Sequence, residues 1–549
     1  MTKKIVIIGG VAGGASAAAR LRRLDEQSQI VLFERGEYIS FANCGLPYYI
    51  GETIKKREKL LVQTVEGMSK KFNLDIRNLS EVVKINRHRK TVTVNHLPEN
   101  RMYEESYDVL ILSPGAKPII PQISGLTEAD NVFTLRSIPD TDQIKGFVDN
   151  HQPKEAVVIG GGFIGLEMAE NLVERGINVT LVEMAKQVMA PLDYEMAAIV
   201  HKHLIEKGVN LILEDGVQAF RDNGKEVMLS SGKVINTDFT ILSIGVTPEN
   251  QLAAEAGLHI GKRGGIQVNE LLQTNDEHIY AIGDAIETAD YLHQQPAFIP
   301  LAGPANRQGR IVANNIYGKK EAYKGTLGTS IAKVFDLTAA VTGSNEKTLQ
   351  RLGIDYEVVH VHPGSHAGYY PGAHPLALKI IFSPDSGQIY GAQAVGKDGA
   401  DKRIDVLSAA IKGKLSVFDL TELELAYAPP FSSAKDPVNM AGYVAANILE
   451  DGLETVQWHE IDEIVENGGF LIDVREPHER KQGFIKGSLN IPLSEIRDRL
   501  EEIPNDKPIY VACQVGLRGY LAARILTGNG YQAINLDGGW KTYSSVKHS

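Results

Sequence analysis

Two copies of one pattern, an apolar run followed by a glycine-rich turn and a helix, constrain the fold most. The first copy is KIVIIGGVAGGASAAARLRRL at residues 4–24, and the second is EAVVIGGGFIGLEMAENLVERG at residues 155–176. Each copy leads into a second apolar run, QIVLFER and NVTLVEM, and therefore predicts a βαβ unit with a parallel sheet. The chain is expected to be an α/β protein with two Rossmann-like dinucleotide-binding domains.

Length and pattern changes predict further domains. At 549 residues the chain is too long for a single hydrophobic core. From about residue 330 the segments YEVVHVH and LALKIIF are typical of antiparallel strands, and helical stretches follow them. After residue 460 the runs FLIDVRE and PIYVACQ alternate with helical stretches, which indicates a small additional α/β domain.

The composition excludes several classes of function. A net charge of -11 and a pI near 5.8 argue against nucleic acid as a partner. The sequence contains no run of 18 apolar residues and no secretory signal, so we expect no membrane span. Two cysteines are too few for a disulfide framework or a cysteine-rich metal site, and the histidines, including His201 and His203, show no metal spacing. We expect a cytoplasmic protein with reduced thiols and no metal.

The second glycine turn has the spacing of a dinucleotide-binding site. Gly160, Gly162 and Gly165 fit the pattern G-x-G-x-x-G between a predicted strand and a helix. Such a turn lets the backbone approach a pyrophosphate at the positive end of the helix. Glu183 ends the next strand, where a carboxylate accepts hydrogen bonds from ribose hydroxyls and repels a 2′-phosphate. The second unit is therefore predicted to bind NADH in preference to NADPH.

The first glycine turn is less regular, because Val11 replaces the usual middle glycine. Glu34 at the end of the next strand is again the expected ribose ligand. A later segment, AIGDA, places an aspartate after a buried strand, where it can bind the ribityl chain of a flavin. The predicted ligands of this first site are Gly9, Gly10, Gly13, Gly14, Glu34, Gly283 and Asp284.

Together these features resemble the flavoprotein reductases that bind two dinucleotides. The resemblance implies FAD in the first unit and NADH in the second, stacked for hydride transfer. Many members of that superfamily carry a C-x4-C pair, whereas Cys44 in SFANCGLPYYIG has no second cysteine nearby. A single cysteine beside a flavin must form either a sulfenic acid, as in an oxidase or peroxidase, or a mixed disulfide with a small thiol, as in a disulfide or persulfide reductase.

SFANCGLPYYIG resembles the coenzyme A-disulfide reductase family, as do GSHAGYYPG, GADKRIDVLS and ELAYAPPFSSAKDPVNMAGY further along the chain. The resemblance covers residues 1 to about 445 and implies that Cys44 forms a mixed disulfide with coenzyme A. It further implies that Ser40 and Asn43 bind the substrate. Tyr369 (or Tyr370) and Tyr427 are expected to act in the site of a partner subunit, so we predict a homodimer.

Coenzyme A is strongly anionic, so its site requires cations. Arg20 and Arg23 lie three residues apart on one predicted helix. The family resemblance adds three further positions as phosphate ligands, which are Lys71, Arg307 and Lys435. We also predict that the thiol of Cys44 has a depressed pKa, because the attacking species is a thiolate.

The second cysteine, Cys513 in VACQVGLRG, follows a predicted strand and begins a six-residue loop that ends at Arg518, which we predict to bind substrate. Loop N–H groups that curl around a thiol form an anion-binding nest, which stabilises a thiolate or a persulfide. The loop resembles that of rhodanese, a sulfurtransferase, as do LIDVRE (Asp473, Arg475), GSLNIP and LDGGW. Phe484 stands where the rhodanese pattern has a histidine. The resemblance implies sulfurtransferase activity at Cys513.

The predicted domains follow from these resemblances. They are a FAD-binding domain in two parts (1–150 and 271–325), an NADH-binding domain (151–270), an α+β dimerisation domain (326–445), a linker (446–460) and an α/β rhodanese domain (461–549). The favoured hypothesis is a coenzyme A-persulfide and polysulfide reductase. A coenzyme A-disulfide reductase with an accessory sulfurtransferase is the alternative, and a redox sensor or sulfur carrier is a third.

Overall fold

The computed structural model describes residues 2–547, which form two compact units. The first unit comprises residues up to 186 together with 208–328, and the second comprises residues 187–207 together with those from 329 onward. Residues 187–207, which the sequence places in the NADH-binding domain, thus belong to the second unit. No helix among residues 2–547 combines the length and apolar character needed to cross a membrane.

The first unit contains two five-stranded parallel sheets. The order in one sheet is Ile279–Ala281, Val109–Leu112, Lys4–Ile8, Gln29–Phe33 and Asp75–Arg77. The order in the other is Asn210–Ile212, Asn178–Val182, Glu155–Ile159, Phe239–Leu242 and Val132–Phe133. In each sheet the central strand of the predicted βαβ unit is apolar and buried, as expected for a strand covered on both faces.

Smaller sheets and the helices complete the first unit. The smaller sheets comprise Ser80–Asn86, Thr91–His96 and Arg101–Ser106; Val217–Arg221, Glu226–Leu229 and Val234–Asn236; Ala116–Pro118 and Val246–Pro248; and Ile266–Gln267, Ile286–Ala289 and Pro296–Ala297. The α-helices are Gly13–Leu24, Leu46–Ile50, Val65–Phe72, Ile138–His151, Phe163–Glu174, Gln251–Glu255 and Ala302–Ile316. Short 3₁₀ turns span Asn43–Gly45, Arg57–Leu60, Asp222–Gly224 and Gly283–Ala285.

The second unit contains one antiparallel and one parallel sheet of five strands each. The antiparallel sheet has the order Ser330–Val334, Leu337–Gly343, Ile389–Gly396, Leu376–Phe382 and Glu357–Val361. The helices in the same part of the unit are Tyr194–Glu206, Glu346–Leu352, Ala400–Gly413, Val417–Glu422 and Pro437–Leu449.

The parallel sheet forms the C-terminal α/β domain predicted from the sequence. Its order is Glu454–Val456, Ala533–Leu536, Ile509–Ala512, Phe470–Asp473 and Leu489–Asn490. The helices are Ile461–Glu466, Pro477–Arg480, Leu517–Gly528 and Gly539–Lys547, with a 3₁₀ turn at Leu500–Glu502. Buried aliphatic side chains on both faces of the strand Ile509–Ala512 form the core of this domain.

Candidate active sites

The carboxylate of Glu34, the predicted ribose ligand, is hydrogen-bonded to the backbone of the first glycine turn. Glu34 accepts hydrogen bonds from the N–H groups of Gly10 at 2.8 Å and Gly36 at 2.9 Å. The turn also requires glycine sterically, because a Cβ on Gly14 would overlap the carbonyl oxygen of Gly9. The turn and the helix Gly13–Leu24 are thus held in the conformation that exposes backbone donors to a pyrophosphate.

The second glycine turn repeats this arrangement. Glu183 accepts from the N–H groups of Gly161 at 2.7 Å and Ala185 at 2.8 Å. Gly162 caps the helix Phe163–Glu174, and a Cβ added to it would meet no atom within 4 Å. This open space at a helix N-terminus fits a dinucleotide pyrophosphate.

The Gly-Asp segment lies beside the first turn. A Cβ on Gly13 would come within 3.2 Å of the Ile282 side chain, and the N–H of Gly283 donates to Gln308 at 2.7 Å. Burial raises the pKa of Asp284 to about 6. A half-buried carboxyl here fits a ligand that presents hydroxyl groups, as the ribityl chain of FAD does.

Cys44 lies in a 3₁₀ turn before the short helix Leu46–Ile50, and its side chain is exposed. Its segment is tied to the first glycine turn, because the N–H of Ser40 donates to the carbonyl of Gly10 at 3.0 Å. Ser40 has a φ of 44°, an uncommon conformation for a residue other than glycine. The structure therefore brings the predicted redox cysteine to the predicted FAD site.

The expected depressed pKa of Cys44 is wrong. Although the residue is exposed, partial desolvation by the surrounding protein raises the pKa of its thiol, and the negative charges of Glu167 and Asp284 raise it further. The helix that follows Cys44 is only five residues long, so it offers little opposing positive potential.

Glu167 is a site residue that the sequence analysis missed. It lies on the helix opened by the second glycine turn, and burial, followed by the charge of Glu170, raises its pKa to about 7. The available signal was its place in GGGFIGLE, two residues after Gly165.

Replacing Glu167 with glutamine is expected to lower the pKa of Cys44. Of the two carboxylates that raise this pKa, Glu167 has the larger effect. The rate of alkylation by iodoacetamide, measured against pH in a Cys513→Ser background, should rise at lower pH than with Glu167 intact. The matched control is Glu174→Gln on the same helix, whose charge acts on Tyr48. An equal shift in both variants, or none in Glu167→Gln, would contradict this assignment.

Two of the predicted catalytic tyrosines meet in the second unit. The hydroxyl oxygens of Tyr369 and Tyr427 are 2.7 Å apart, and both side chains are exposed, by 75% and 48%. The hydrogen bond from Tyr427, with a smaller contribution from burial, raises the pKa of Tyr369. The pair can present one phenolic proton to a group that approaches from solvent.

The predicted phosphate ligands occupy different environments. Arg20 donates to Asn314 at 3.0 Å, and Arg307 donates to the carbonyl of Gly325 at 2.7 Å. Arg23 and Lys71 are exposed cations of the first unit. Lys435 is an exposed cation of the second unit, with its ammonium 5.8 Å from the ring centroid of Tyr443.

Cys513 begins its loop at the end of the strand Ile509–Ala512 and is fully buried, with 0% of its surface exposed. Its sulfur accepts a hydrogen bond from the N–H of Gly516 at 3.1 Å, which is the type of contact that an anion-binding nest provides. Arg518 does not point freely at the loop, since it makes two hydrogen bonds to Glu479 at 2.7 and 2.6 Å.

Residues of the motifs LIDVRE and LDGGW, which carry the rhodanese resemblance, pack beside this loop. The buried Arg475 pairs with Asp473 at 2.8 Å and donates to the side chain of Gln514 at 3.2 Å. The Arg475 guanidinium lies 5.0 Å from the ring centroid of Trp540. Phe484, at the position of the usual histidine, is 51% exposed.

Two glycine turns, a half-buried Gly-Asp segment and an adjacent cysteine define a flavin-dependent oxidoreductase that uses a pyridine nucleotide. The model of the pyridine nucleotide-disulphide oxidoreductase family matches residues 3–309, and that of its dimerisation domain matches residues 329–437. A rhodanese-like domain model matches residues 457–545. The chain belongs to the pyridine nucleotide-disulphide oxidoreductase family, with FAD and NADH as cofactors and a C-terminal rhodanese-like domain.

Three known proteins show how far the similarity extends. A coenzyme A disulfide reductase of Staphylococcus aureus is 43% identical over 444 residues, which cover 80% of this chain and 99% of that protein. The crystal structure of reduced Bacillus anthracis CoADR-RHD is 65% identical with a TM-score of 0.99, covering 100% of this chain and 98% of that one. A NAD-dependent persulfide reductase from A. fulgidus is 38% identical with a TM-score of 0.92, covering 98% of this chain and 100% of that one.

These similarities confirm the family and the fold class predicted from the sequence. Two Rossmann-like domains, an α+β dimerisation domain and a C-terminal α/β rhodanese domain account for the four five-stranded sheets of the described residues.

Proposed function

We propose that this protein is an FAD- and NADH-dependent reductase of coenzyme A persulfide and polysulfide, in which a rhodanese domain relays sulfane sulfur through coenzyme A and hydrogen sulfide is released. The observation that carries the proposal is the presence of two unpaired thiols in two separate sites. Cys44 follows Ser40, which is hydrogen-bonded to the first dinucleotide turn, and Cys513 begins the proposed sulfur-transfer loop. The resemblance to a coenzyme A disulfide reductase and to a persulfide reductase supports this assignment.

The cofactor ligands are proposed on the geometry of the glycine turns. The first turn, Glu34 and the Gly283–Asp284 segment bind FAD, and the second turn with Glu183 binds NADH. We further propose the domain boundaries predicted from the sequence, with the exception that residues 187–207 belong structurally with the dimerisation and rhodanese domains.

The coenzyme A site is proposed to combine Ser40 and Asn43 beside the thiol with the cationic side chains predicted from the sequence. The match to the dimerisation domain supports a homodimer, in which Tyr369 and Tyr427 of one subunit serve the site of the other. The exposed phenol pair can donate a hydrogen bond to a departing thiolate.

The first reaction takes place at the rhodanese loop. Cys513 attacks a sulfane sulfur donor such as polysulfide, and the donor leaves shortened by one sulfur atom while a cysteine persulfide remains. The N–H of Gly516 stabilises negative charge on the sulfur. The coenzyme A thiolate then attacks the outer sulfur, which gives coenzyme A persulfide and restores the Cys513 thiolate.

The second reaction takes place at Cys44. Its thiolate attacks the sulfur atom of coenzyme A persulfide that is bonded to carbon, hydrosulfide leaves, and a mixed disulfide between Cys44 and coenzyme A forms. Bound FAD and NADH supply the electron pair that reduces this disulfide. The products are a Cys44 thiolate, free coenzyme A and one hydrosulfide for each NADH oxidised.

A coenzyme A disulfide reductase with an accessory sulfurtransferase is the second candidate. It is favoured by the similarity to the Staphylococcus aureus enzyme of that name, which covers 80% of this chain. Reduction of a disulfide needs no sulfurtransferase, however, and the loop around Cys513 retains its thiol and a hydrogen-bond donor to it.

Kinetics with two substrates separate the candidates. We expect kcat/KM for coenzyme A persulfide to exceed that for coenzyme A disulfide, with hydrogen sulfide release equal to NADH oxidation. Equal or higher kcat/KM for the disulfide would favour the second candidate.

A further inference from the structure

A buried histidine connects the strand Glu357–Val361 of the dimerisation domain with the rhodanese domain. The backbone N–H of His360 donates to both carboxylate oxygens of Asp537, at 3.1 and 3.0 Å, and its Nδ1 lies 2.6 Å from the same carboxylate. The other ring nitrogen, Nε2, lies 3.0 Å from a carboxylate oxygen of Glu195. The side chains of all three residues are at most 3% exposed.

The charges around His360 favour its imidazolium form. Burial opposes protonation, but the charges and hydrogen bonds of Asp537 and Glu195 outweigh it and raise the pKa of His360 to about 9. Lys379, 2.5 Å from Glu195, is itself buried among Asp193, Glu195 and Glu346. Its ammonium occupies the centre of these carboxylates, which explains their closeness without a metal ion.

Asp537 begins a five-residue segment, DGGWK, that also contacts the loop of Cys513. The N–H of Trp540 donates to the carbonyl of Cys513 at 2.7 Å, and the N–H of Lys541 donates to that of Gln514 at 3.0 Å. A Cβ on Gly539 would lie 2.5 Å from the carbonyl oxygen of Cys513. The loop of the sulfur-transfer cysteine therefore rests directly on this segment.

The opposite side of the same segment faces His360. A Cβ on Gly538 would lie 2.9 Å from the Cβ of His360 and would overlap the hydroxyl of Thr542. That hydroxyl is 2.7 Å from Nε2 of His362, two residues further along the strand. The segment 537–541 thus contacts the dimerisation domain on one side and the Cys513 loop on the other.

We propose that His360, held between Asp537 and Glu195, is a positioning residue for sulfur transfer at Cys513. It fixes the segment 537–541, and through that segment the loop that carries the thiol. The inference rests on the proposed sulfurtransferase function of the rhodanese domain. A buried ion pair of this kind contributes little net stability, because desolvation offsets the attraction between the charges, so a role in positioning accounts better for it.

The proposed role predicts a dependence on pH. The pKa of His360 is raised, so the imidazolium that bridges Asp537 and Glu195 is fully formed below the ordinary histidine pKa. This charged bridge is lost as pH rises through about 9. The charged and titratable groups near His360 and its partners are Asp537, Glu195, Lys379, Asp193, Glu346, His362, Lys541 and Glu357.

The test compares His360→Gln with the wild-type holoenzyme. Sulfur transfer from thiosulfate to cyanide reports on Cys513, and NADH oxidation with coenzyme A disulfide reports on Cys44. We expect kcat for sulfur transfer to fall about tenfold to a hundredfold, since small misplacements of reacting groups have effects of this size, while NADH oxidation stays within about twofold. Wild-type sulfur transfer should also decline above about pH 9, and this decline should be absent from the variant.

A matched control is His203→Gln. His203 lies on the same helix as Glu195, but its Nε2 lies 2.9 Å from the carboxylate of Asp336 and makes no contact with Asp537. This variant should retain both activities and the wild-type pH profile. Should His360→Gln fail to fold, Asp537→Asn tests the same bridge from the other side, and the wild-type pH profile is measured in either case.

The outcomes distinguish this inference from the function on which it rests. A His360→Gln or Asp537→Asn variant with the wild-type rate and pH profile would overturn the positioning role and leave the proposed function standing. Loss of both activities to the same extent would also overturn it, because the effect would then be structural. A wild-type protein without sulfur transfer at Cys513 would overturn both.

Discussion

The Cys44→Ser variant is expected to lose NADH-dependent reduction of coenzyme A persulfide and of coenzyme A disulfide by a factor on the order of 10³ or more. A serine hydroxyl at this position cannot attack a sulfur–sulfur bond or form a disulfide with coenzyme A. The other cysteine of the chain, Cys513, belongs to the rhodanese-like domain and not to the segment beside the first glycine turn, so no second thiol is available there. Steady-state NADH oxidation with each substrate measures the loss.

Cofactor binding provides the control for this variant. Cys44 is exposed, so its replacement should leave the glycine turns, the flavin content and the affinity for NADH unchanged. The expected phenotype is thus an enzyme that binds both cofactors and does not turn over. A Cys44→Ser variant with more than about a tenth of wild-type turnover on either substrate would remove Cys44 from the mechanism.

The Cys513→Ser variant is expected to show the complementary loss. Sulfur transfer from thiosulfate or polysulfide should fall by a factor on the order of 10³ or more, because serine cannot carry a persulfide. Reduction of coenzyme A persulfide supplied directly should remain within about twofold of wild type. Sulfide release, measured with each donor in turn, separates the two effects.

Cys513 is fully buried, so the stability of this variant has to be measured as well. The hydroxyl of serine can accept the hydrogen bond that Gly516 donates to the thiol, and the substitution should therefore be tolerated. Cys44→Ser is the matched control and should retain sulfur transfer at Cys513. If Cys513→Ser behaved as wild type with every sulfur donor, the relay would be excluded.

Features that lie close together in the sequence were predictable. Each glycine turn follows a buried strand and opens a helix, because the apolar runs, the glycines and the helical pattern are local signals. The position of Cys513 at the end of a strand was predictable for the same reason.

Features that depend on tertiary contacts were not predictable. His360 and Asp537 are 177 residues apart in the sequence, and no local pattern marks them as partners. The pKa of Cys44 depends on Glu167 and Asp284, which come from different parts of the chain. The direction of its shift was therefore predicted wrongly from the sequence. The ion pair between Arg518 and Glu479, 39 residues apart in the sequence, likewise has no local signal.

The most direct test of the central claim is a mass measurement on Cys44. Protein with oxidised FAD and a free Cys44 thiol, shown to carry no adduct beforehand, is incubated with coenzyme A persulfide in the absence of NADH, and the peptide that contains Cys44 is analysed under non-reducing conditions. We expect an adduct of the mass of coenzyme A on Cys44, with one equivalent of sulfide released, and loss of the adduct when NADH is added. An unmodified Cys44, or a sulfinic acid in place of the adduct, would contradict the proposed attack of a single cysteine on an external sulfur–sulfur bond.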